Sequence, residues 1–135
     1  MGCKTLARFN FDNATVATLA ENGNVQFSSG TISNDCVSYD GSNITINRSG
    51  VYLILFNATF VATATGTVES QMYRNGNAVP GAHAIDTVAA VGDFVSQAYH
   101  ALVTVPRNGS DTVINFRTPT ATSERIANAI IVKVA

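Results

Sequence analysis

The run from Ser49 to Phe60 is too apolar on both of its faces to be a β-strand with one side in water. Side chains along a strand point alternately to its two sides. The two alternate sets here are Val51, Leu53 and Leu55 on one side, and Tyr52, Ile54 and Phe56 on the other. A strand with one side in water should instead alternate between apolar and polar residues. In a chain of 135 residues one side can line a sandwich core, and another subunit would cover the other side. The sequence therefore predicts self-association.

Length and charge limit the classes of partner. A chain of 135 residues is expected to form one domain, residues 1–135. Charged residues make up 13% of the chain, against about 25% in a typical protein, and the net charge is −1. Nucleic-acid binding requires several Lys and Arg to neutralise phosphates, so we expect no nucleic-acid partner. No apolar run approaches the length of a membrane span, and no secretory signal is visible at the start, so we expect no membrane partner.

Short segments of β-type residues, separated by turn residues, run along the whole chain. Asn22-Gly23, Asp40-Gly41, Asn75-Gly76 and Asn108-Gly109 are typical of tight hairpin turns. The predicted strands are residues 5–11, 16–20, 25–27, 36–39, 44–47, 51–61, 67–73, 94–105, 112–117 and 125–134. Residues 78–91 are rich in small side chains and contain Pro80-Gly81, which predicts a long crossing loop with at most one short strand. The pattern indicates an all-β sandwich.

The sequence contains no recognisable catalytic or metal-binding motif. His83 and His100 are the two histidines, and neither has the spacing of a metal-ligand pair. No Ser has the sequence context of an activated nucleophile. We therefore expect no enzyme activity, no cofactor and no metal site. Cys3 and Cys36 could form one disulfide, although two free thiols are the favoured interpretation.

Four blocks of residues occur in an order that carries a family resemblance. They are Ile46 to Phe56, read as Ile-x-x-x-Gly-Val-Tyr-Leu at its start; Val68 to Gly81, with Gln71, Asn75-Gly76 and Val79-Pro80-Gly81; Leu102 to Val113, containing Pro106-Arg107-Asn108-Gly109-Ser110-Asp111; and Ala129 to Ala135. Together the blocks resemble the jelly roll of the tumour necrosis factor and complement globular-head superfamily. The likeness is greatest to its bacterial members, such as the head of the collagen-like spore-surface glycoprotein. It covers about residues 44–135.

The resemblance implies a two-sheet antiparallel jelly-roll sandwich of about ten strands that assembles as a homotrimer without an active site. The trimer interface would then contain either Tyr52, Ile54 and Phe56 or the opposite set of that strand. Ile130 and Val132 of the last strand are assigned to the same interface. Some members of the superfamily bind calcium through loop carboxylates, for which Asp86 and Asp93 would be the best candidates here.

The collagen-like stalk that usually precedes such a head is missing from this sequence. A head without a stalk is expected to be assembled inside a cell onto a particle, so we interpret the chain as a decoration protein or fibre knob on the surface of a phage virion. Its partners would be the capsid or other virion proteins, and attachment would use Met1, Gly2, Cys3 and Lys4. The alternative is a head on a bacterial or spore surface that binds a receptor or a glycan. The loops hold few aromatic or Arg residues of the kind that dominate binding hot spots, which favours the first interpretation.

Overall fold

The computed structural model describes residues 6–32, 36–107, 109 and 111–135. These residues form β-strands, turns and loops, so none of them builds a helix that could span a membrane. The strands are β1 (Leu6–Leu19), β2 (Gly23–Asn24), β3 (Ser29–Ile32), β4 (Val37–Tyr39), β5 (Ile44–Ile46), β6 (Gly50–Val61), β7 (Gly66–Arg74), β8 (Asn77–Val88), β9 (Phe94–Val105), β10 (Thr112–Thr118) and β11 (Thr122–Lys133).

The strands form two antiparallel sheets. The first sheet has the order β3-β1-β11-β6-β9, and the second has the order β4-β5-β10-β7-β8 with β2 paired to β10. The strand β6 and the last strand β11 both lie inside the first sheet and are hydrogen-bonded to neighbours on both sides. This arrangement confirms the predicted two-sheet jelly-roll sandwich.

The hydrophobic core fills the space between the two sheets. Phe56 of the first sheet stacks on Phe116 of the second, with ring centroids 4.2 Å apart. Tyr99 and Phe27 extend the aromatic cluster on either side of this pair. Each large apolar side chain that becomes fully buried contributes about 1.5–3 kcal/mol. The aromatic cluster is therefore a main contact that holds the sheets together.

The predicted crossing loop at residues 78–91 is wrong for most of its length, because residues 77–88 form the edge strand β8. Pro80 is tolerated there because an edge strand has one side without ladder hydrogen bonds. Gly81 has a φ of +81°, and the pairing with β7 shifts between Gln71 and Tyr73. The side-chain amide of Gln71 donates to the carbonyls of Val79 and Ala82 at 2.8 and 3.0 Å, which holds the irregular backbone in place.

Three other expectations from the sequence need correction. The segments predicted at residues 5–11 and 16–20 form one strand, β1, whose pairing with β11 is irregular between Asp12 and Ala17. Residues 25–27 are not a strand, although Val25 and Phe27 are buried. Cys36 is buried and is not a free thiol in the structure, so the favoured interpretation of two free thiols is wrong for this residue. Cys3 lies outside the described residues.

Candidate subunit interface

The side chains of β6 that the sequence assigned to the trimer interface point inward. The alternate set of β6 side chains points outward. Tyr52, Ile54 and Phe56 are at most 1% exposed and face the second sheet. A neighbouring subunit cannot reach side chains that a single chain already buries. The assignment of these three residues to the trimer interface is therefore wrong.

The outward face of the first sheet carries apolar side chains in register across four strands. One row crosses β1, β11, β6 and β9 and consists of Leu6, Val132, Leu53 and Leu102. Adjacent strands lie about 4.8 Å apart, so this aliphatic row spans about 15 Å. Leu6 is 59% exposed and Leu102 is 65% exposed in the single chain. The row is therefore a continuous apolar surface that is largely exposed at both of its ends in a single chain.

The next row on the same face is mixed in character. It consists of Arg8, Ile130, Leu55 and His100. Ile130 and Val132 lie on this outward face and are only partly buried, and their assignment to the trimer interface stays a prediction. The apolar side chains of these two rows form one surface, which we call the aliphatic face: Leu6, Leu53, Leu55, Leu102, Ile130 and Val132.

A row of asparagines borders the aliphatic face on one side. Asn10, Asn128 and Asn57 are in register on β1, β11 and β6. The side-chain amides of Asn10 and Asn128 lie 2.9 Å apart, and Arg8 Nε donates to Asn10 Oδ1 at 3.0 Å. The outward surface of the first sheet is therefore apolar towards the end of β11 and polar nearer the middle of that strand.

The correct orientation of β6 has a signal in the sequence. The inward set continues through Ala58 to Phe60 without a polar side chain, whereas the outward set continues with Asn57 and Thr59. The hydroxyl of Tyr52 does not indicate an outward position, because it donates to the carbonyl oxygen of Arg48 at 2.9 Å. Residues 57–60, the next four along the strand, therefore distinguish the core face from the surface face.

The two ends of the described chain lie at the same end of the first sheet. Leu6 pairs with Val132, and the backbone N–H of Val51 donates to the carbonyl of Ala135 at 3.0 Å. Met1, Gly2, Cys3 and Lys4, which the sequence analysis assigned to attachment, lie outside the described residues.

The carboxylates considered for calcium have separate hydrogen-bond partners. Asp86 accepts from the side-chain amide of Gln97 at 2.9 Å, and Asp93 accepts from the backbone N–H of Ala90 at 3.2 Å. In the part of the chain that the structure describes, no three of the side chains of His, Cys, Asp and Glu converge on a point where they could hold a metal ion.

The histidines lie on opposite sheets. His83 on β8 hydrogen-bonds to Glu69 of β7, while His100 lies on the outward face of β9 opposite Leu55.

Burial raises the pKa of Glu124, a fully buried residue of β11, to about 7. One Glu124 oxygen accepts from the backbone N–H of Gln26 at 2.9 Å, and Oε2 has no hydrogen-bond partner in the described structure. This carboxyl faces the core, so it does not form a surface site.

Solved structures with the same architecture share little sequence with this chain. Murine APRIL at pH 5.0 matches with a TM-score of 0.73 and 12% identity, over 98% of this chain and 100% of that chain. The globular domain of zebrafish complement 1qA protein matches with a TM-score of 0.72 and 14% identity, over 98% of each chain. The PRD1 vertex protein P5 matches with a TM-score of 0.61 and 16% identity, over the whole of both chains. No family model and no curated protein sequence matches this chain.

These likenesses confirm the resemblance at the level of the fold. The chain has the jelly-roll fold of tumour necrosis factor ligands and complement heads over 98% of its length. Sequence identities of 12–16% show the fold alone. Function must therefore be argued from the surface of this chain.

Proposed function

We propose that three copies of this chain associate through the aliphatic face into a non-catalytic head on the surface of a virion. The observation that carries the proposal is the row of Leu6, Val132, Leu53 and Leu102, which leaves two leucines more than half exposed in a single chain. Fully burying one such side chain contributes about 1.5–3 kcal/mol, so covering several of them favours association strongly.

The virion part of the proposal is supported by the fold. PRD1 P5 is a vertex protein whose whole chain superimposes on the whole of this chain. The weakly charged surface and the absence of a three-residue metal site within the described residues agree with a structural role. The single domain of residues 1–135 is proposed as the unit that assembles.

Light scattering on a sizing column tests the assembly. The wild-type chain should elute with the mass of three chains at micromolar concentration. Leu102→Asp should shift it to a folded monomer, because a carboxylate buried in an apolar interface without a partner costs several kcal/mol. Ile85→Asp is the matched control, because Ile85 is 58% exposed but lies on β8 of the second sheet. A wild-type monomer, or a Leu102→Asp variant that remains trimeric, would contradict the proposal.

Attachment to the particle is proposed to use residues 1–4 together with the end of the trimer where the chains begin and end. The pairing of Leu6 with Val132 supports this placement, because it brings the start of β1 to the end of β11. Deleting residues 1–4 should leave the trimer intact and abolish incorporation into particles. Normal incorporation of this variant would show that attachment uses another surface.

A further inference from the structure

Three cationic side chains line one cavity at the end of the first sheet where β6 begins and β11 ends. The cavity has a volume of about 480 Å³. Arg48, Arg107 and Lys133 are three of the eight Lys and Arg residues of the chain, and none of the Asp and Glu side chains that the structure describes lines the cavity. The cavity is therefore an electropositive pocket on a protein whose net charge is −1.

The backbone that forms the pocket is fixed by contacts within the chain. The buried hydroxyl of Tyr52 donates to the carbonyl of Arg48, which anchors the backbone of the first cationic residue. The guanidinium of Arg74 donates to the carbonyl of Thr104 and so ties the opposite wall to the second sheet. The backbone N–H of Val134 donates to the carbonyl of Val51 at 2.8 Å. These three contacts hold the start of β6 and the ends of β9 and β11 together.

Gly50 allows the side chain of Lys133 and the backbone of Ala135 to approach the start of β6 closely. Its φ is +146°, and a Cβ at this position would lie 2.5 Å from Lys133 Cε and 2.8 Å from the carbonyl oxygen of Ala135. The alkyl stem of Lys133 therefore lies directly across Gly50. No side chain larger than hydrogen could occupy position 50 without displacing this lysine.

The remaining walls combine hydroxyl groups with apolar surface. Ser49 and Thr104 supply hydroxyls, and Val51, Val105 and Pro106 supply apolar surface. A second cavity of about 450 Å³ shares Arg48 and Arg107 with the first and adds the amide of Asn47. A small molecule that matches these walls carries an anionic group for the cationic side chains, hydroxyl groups for the hydroxyls and C–H groups for the apolar surface.

We infer that this pocket binds a sugar that carries a sulfate or phosphate group. Arg and Lys bind such oxyanions through charge-assisted hydrogen bonds, which are about twice as strong as neutral ones. A water molecule occupies about 30 Å³, so a cavity of about 480 Å³ has room for a monosaccharide in addition to its anionic group. The volume also lies within the range of about 300–1,000 Å³ that is typical of small-molecule sites. The residues that line the cavity come from three neighbouring strands and the segments that flank them.

Titration calorimetry with glucose 6-sulfate and glucose 6-phosphate tests the inference. The wild-type protein should bind at least one of these sugars in the millimolar range or tighter. Arg48→Gln and Lys133→Gln should each weaken binding by about tenfold, because each removes a charged donor. Arg125→Gln is the matched control: it removes the same charge near the start of β11, where Arg125 pairs with Asp12 on the surface. Binding to the control should stay within about twofold of wild type.

Three results would overturn the inference. The first is no binding of either sugar. The second is an equal loss in Arg125→Gln and Arg48→Gln, which would mean that net charge rather than the pocket attracts the ligand. The third is binding of inorganic sulfate, or of a glutamate-rich peptide, as tight as that of the sugars, because the walls would then not recognise a sugar. Circular dichroism of each variant confirms that the fold is kept.

Discussion

The buried carboxyl of Glu124 should make the stability of this protein fall as pH rises from about 4.5 to about 7. Burial raises the pKa of Glu124 to about 7 in the folded chain, against an ordinary value of 4.5. The unfolded chain therefore releases this proton first as pH rises, while the folded chain still holds it. The free energy of unfolding falls over that window, because the folded state then binds more protons than the unfolded state.

The magnitude follows from the difference between the two pKa values. Each pH unit of difference corresponds to about 1.4 kcal/mol, so the folded protein loses up to about 3 kcal/mol of stability between pH 4.5 and 7. Glu124→Gln removes the titration and keeps a side-chain oxygen that can accept from the backbone N–H of Gln26. We expect the variant to exceed wild type by up to about 3 kcal/mol at pH 8 and to differ little from it at pH 4.

Urea denaturation from pH 4 to pH 8, at one fixed protein concentration, measures this difference. The concentration must be fixed because the stability of an oligomer depends on it. Glu21→Gln is a suitable control, because Glu21 is exposed and loses the same charge. A result in which the free energies of unfolding of Glu124→Gln and wild type differ by the same amount at every pH would refute the reasoning. A pH-independent difference comes from packing and not from the titration of Glu124.

Two further predictions concern the end of the sheet where the chain finishes. Gly50→Ala should destabilise the protein by more than about 1 kcal/mol, because a φ of +146° is strained for a residue with a Cβ and that Cβ would lie 2.8 Å from the backbone carbonyl oxygen of Ala135; thermal unfolding checks this, with Gly76→Ala as a control that has a positive φ and open space. Deleting residues 130–135 should give an insoluble chain, because it removes the buried Ile131 and the pairing partners of three residues of β1 and four residues of β6; a soluble, folded truncation would contradict the role of β11 as a central strand.

The sequence predicts a strand well where the side chains of one face are regularly apolar and buried and those of the other face are exposed. β9 was predicted at residues 94–105 and has those bounds, because Val95, Tyr99 and Val103 alternate with residues that face out. β8 was missed because its small residues and Pro80-Gly81 resemble a loop, and only the neighbouring strand β7 makes it a strand. Pairing partners distant in sequence decide such cases, and local propensity does not contain that information.

The sequence predicts that an apolar surface exists, but its exact residues depend on which of the two sets of β6 side chains points outward. The doubly apolar β6 correctly indicates that one face remains uncovered in a single chain, since Leu53 and Leu55 do face outward. The electropositive pocket was not predicted. Arg48, Arg107 and Lys133 lie far apart in sequence and meet only because β6, β9 and β11 are neighbours in the first sheet.

The burial of Glu124 shows most clearly why alternation alone fails at a bulge. In β11 the buried residues Ala127, Ala129 and Ile131 are odd-numbered, so the same alternation would place Glu124 in water. The pairing with β6 instead skips Arg125, so that Glu124 lies opposite the buried Phe60. One extra residue in a strand reverses the side to which every earlier side chain points. Arg125, the extra residue, turns to pair with Asp12, where β1 has its own irregularity. The same bulge thus explains the raised pKa of Glu124.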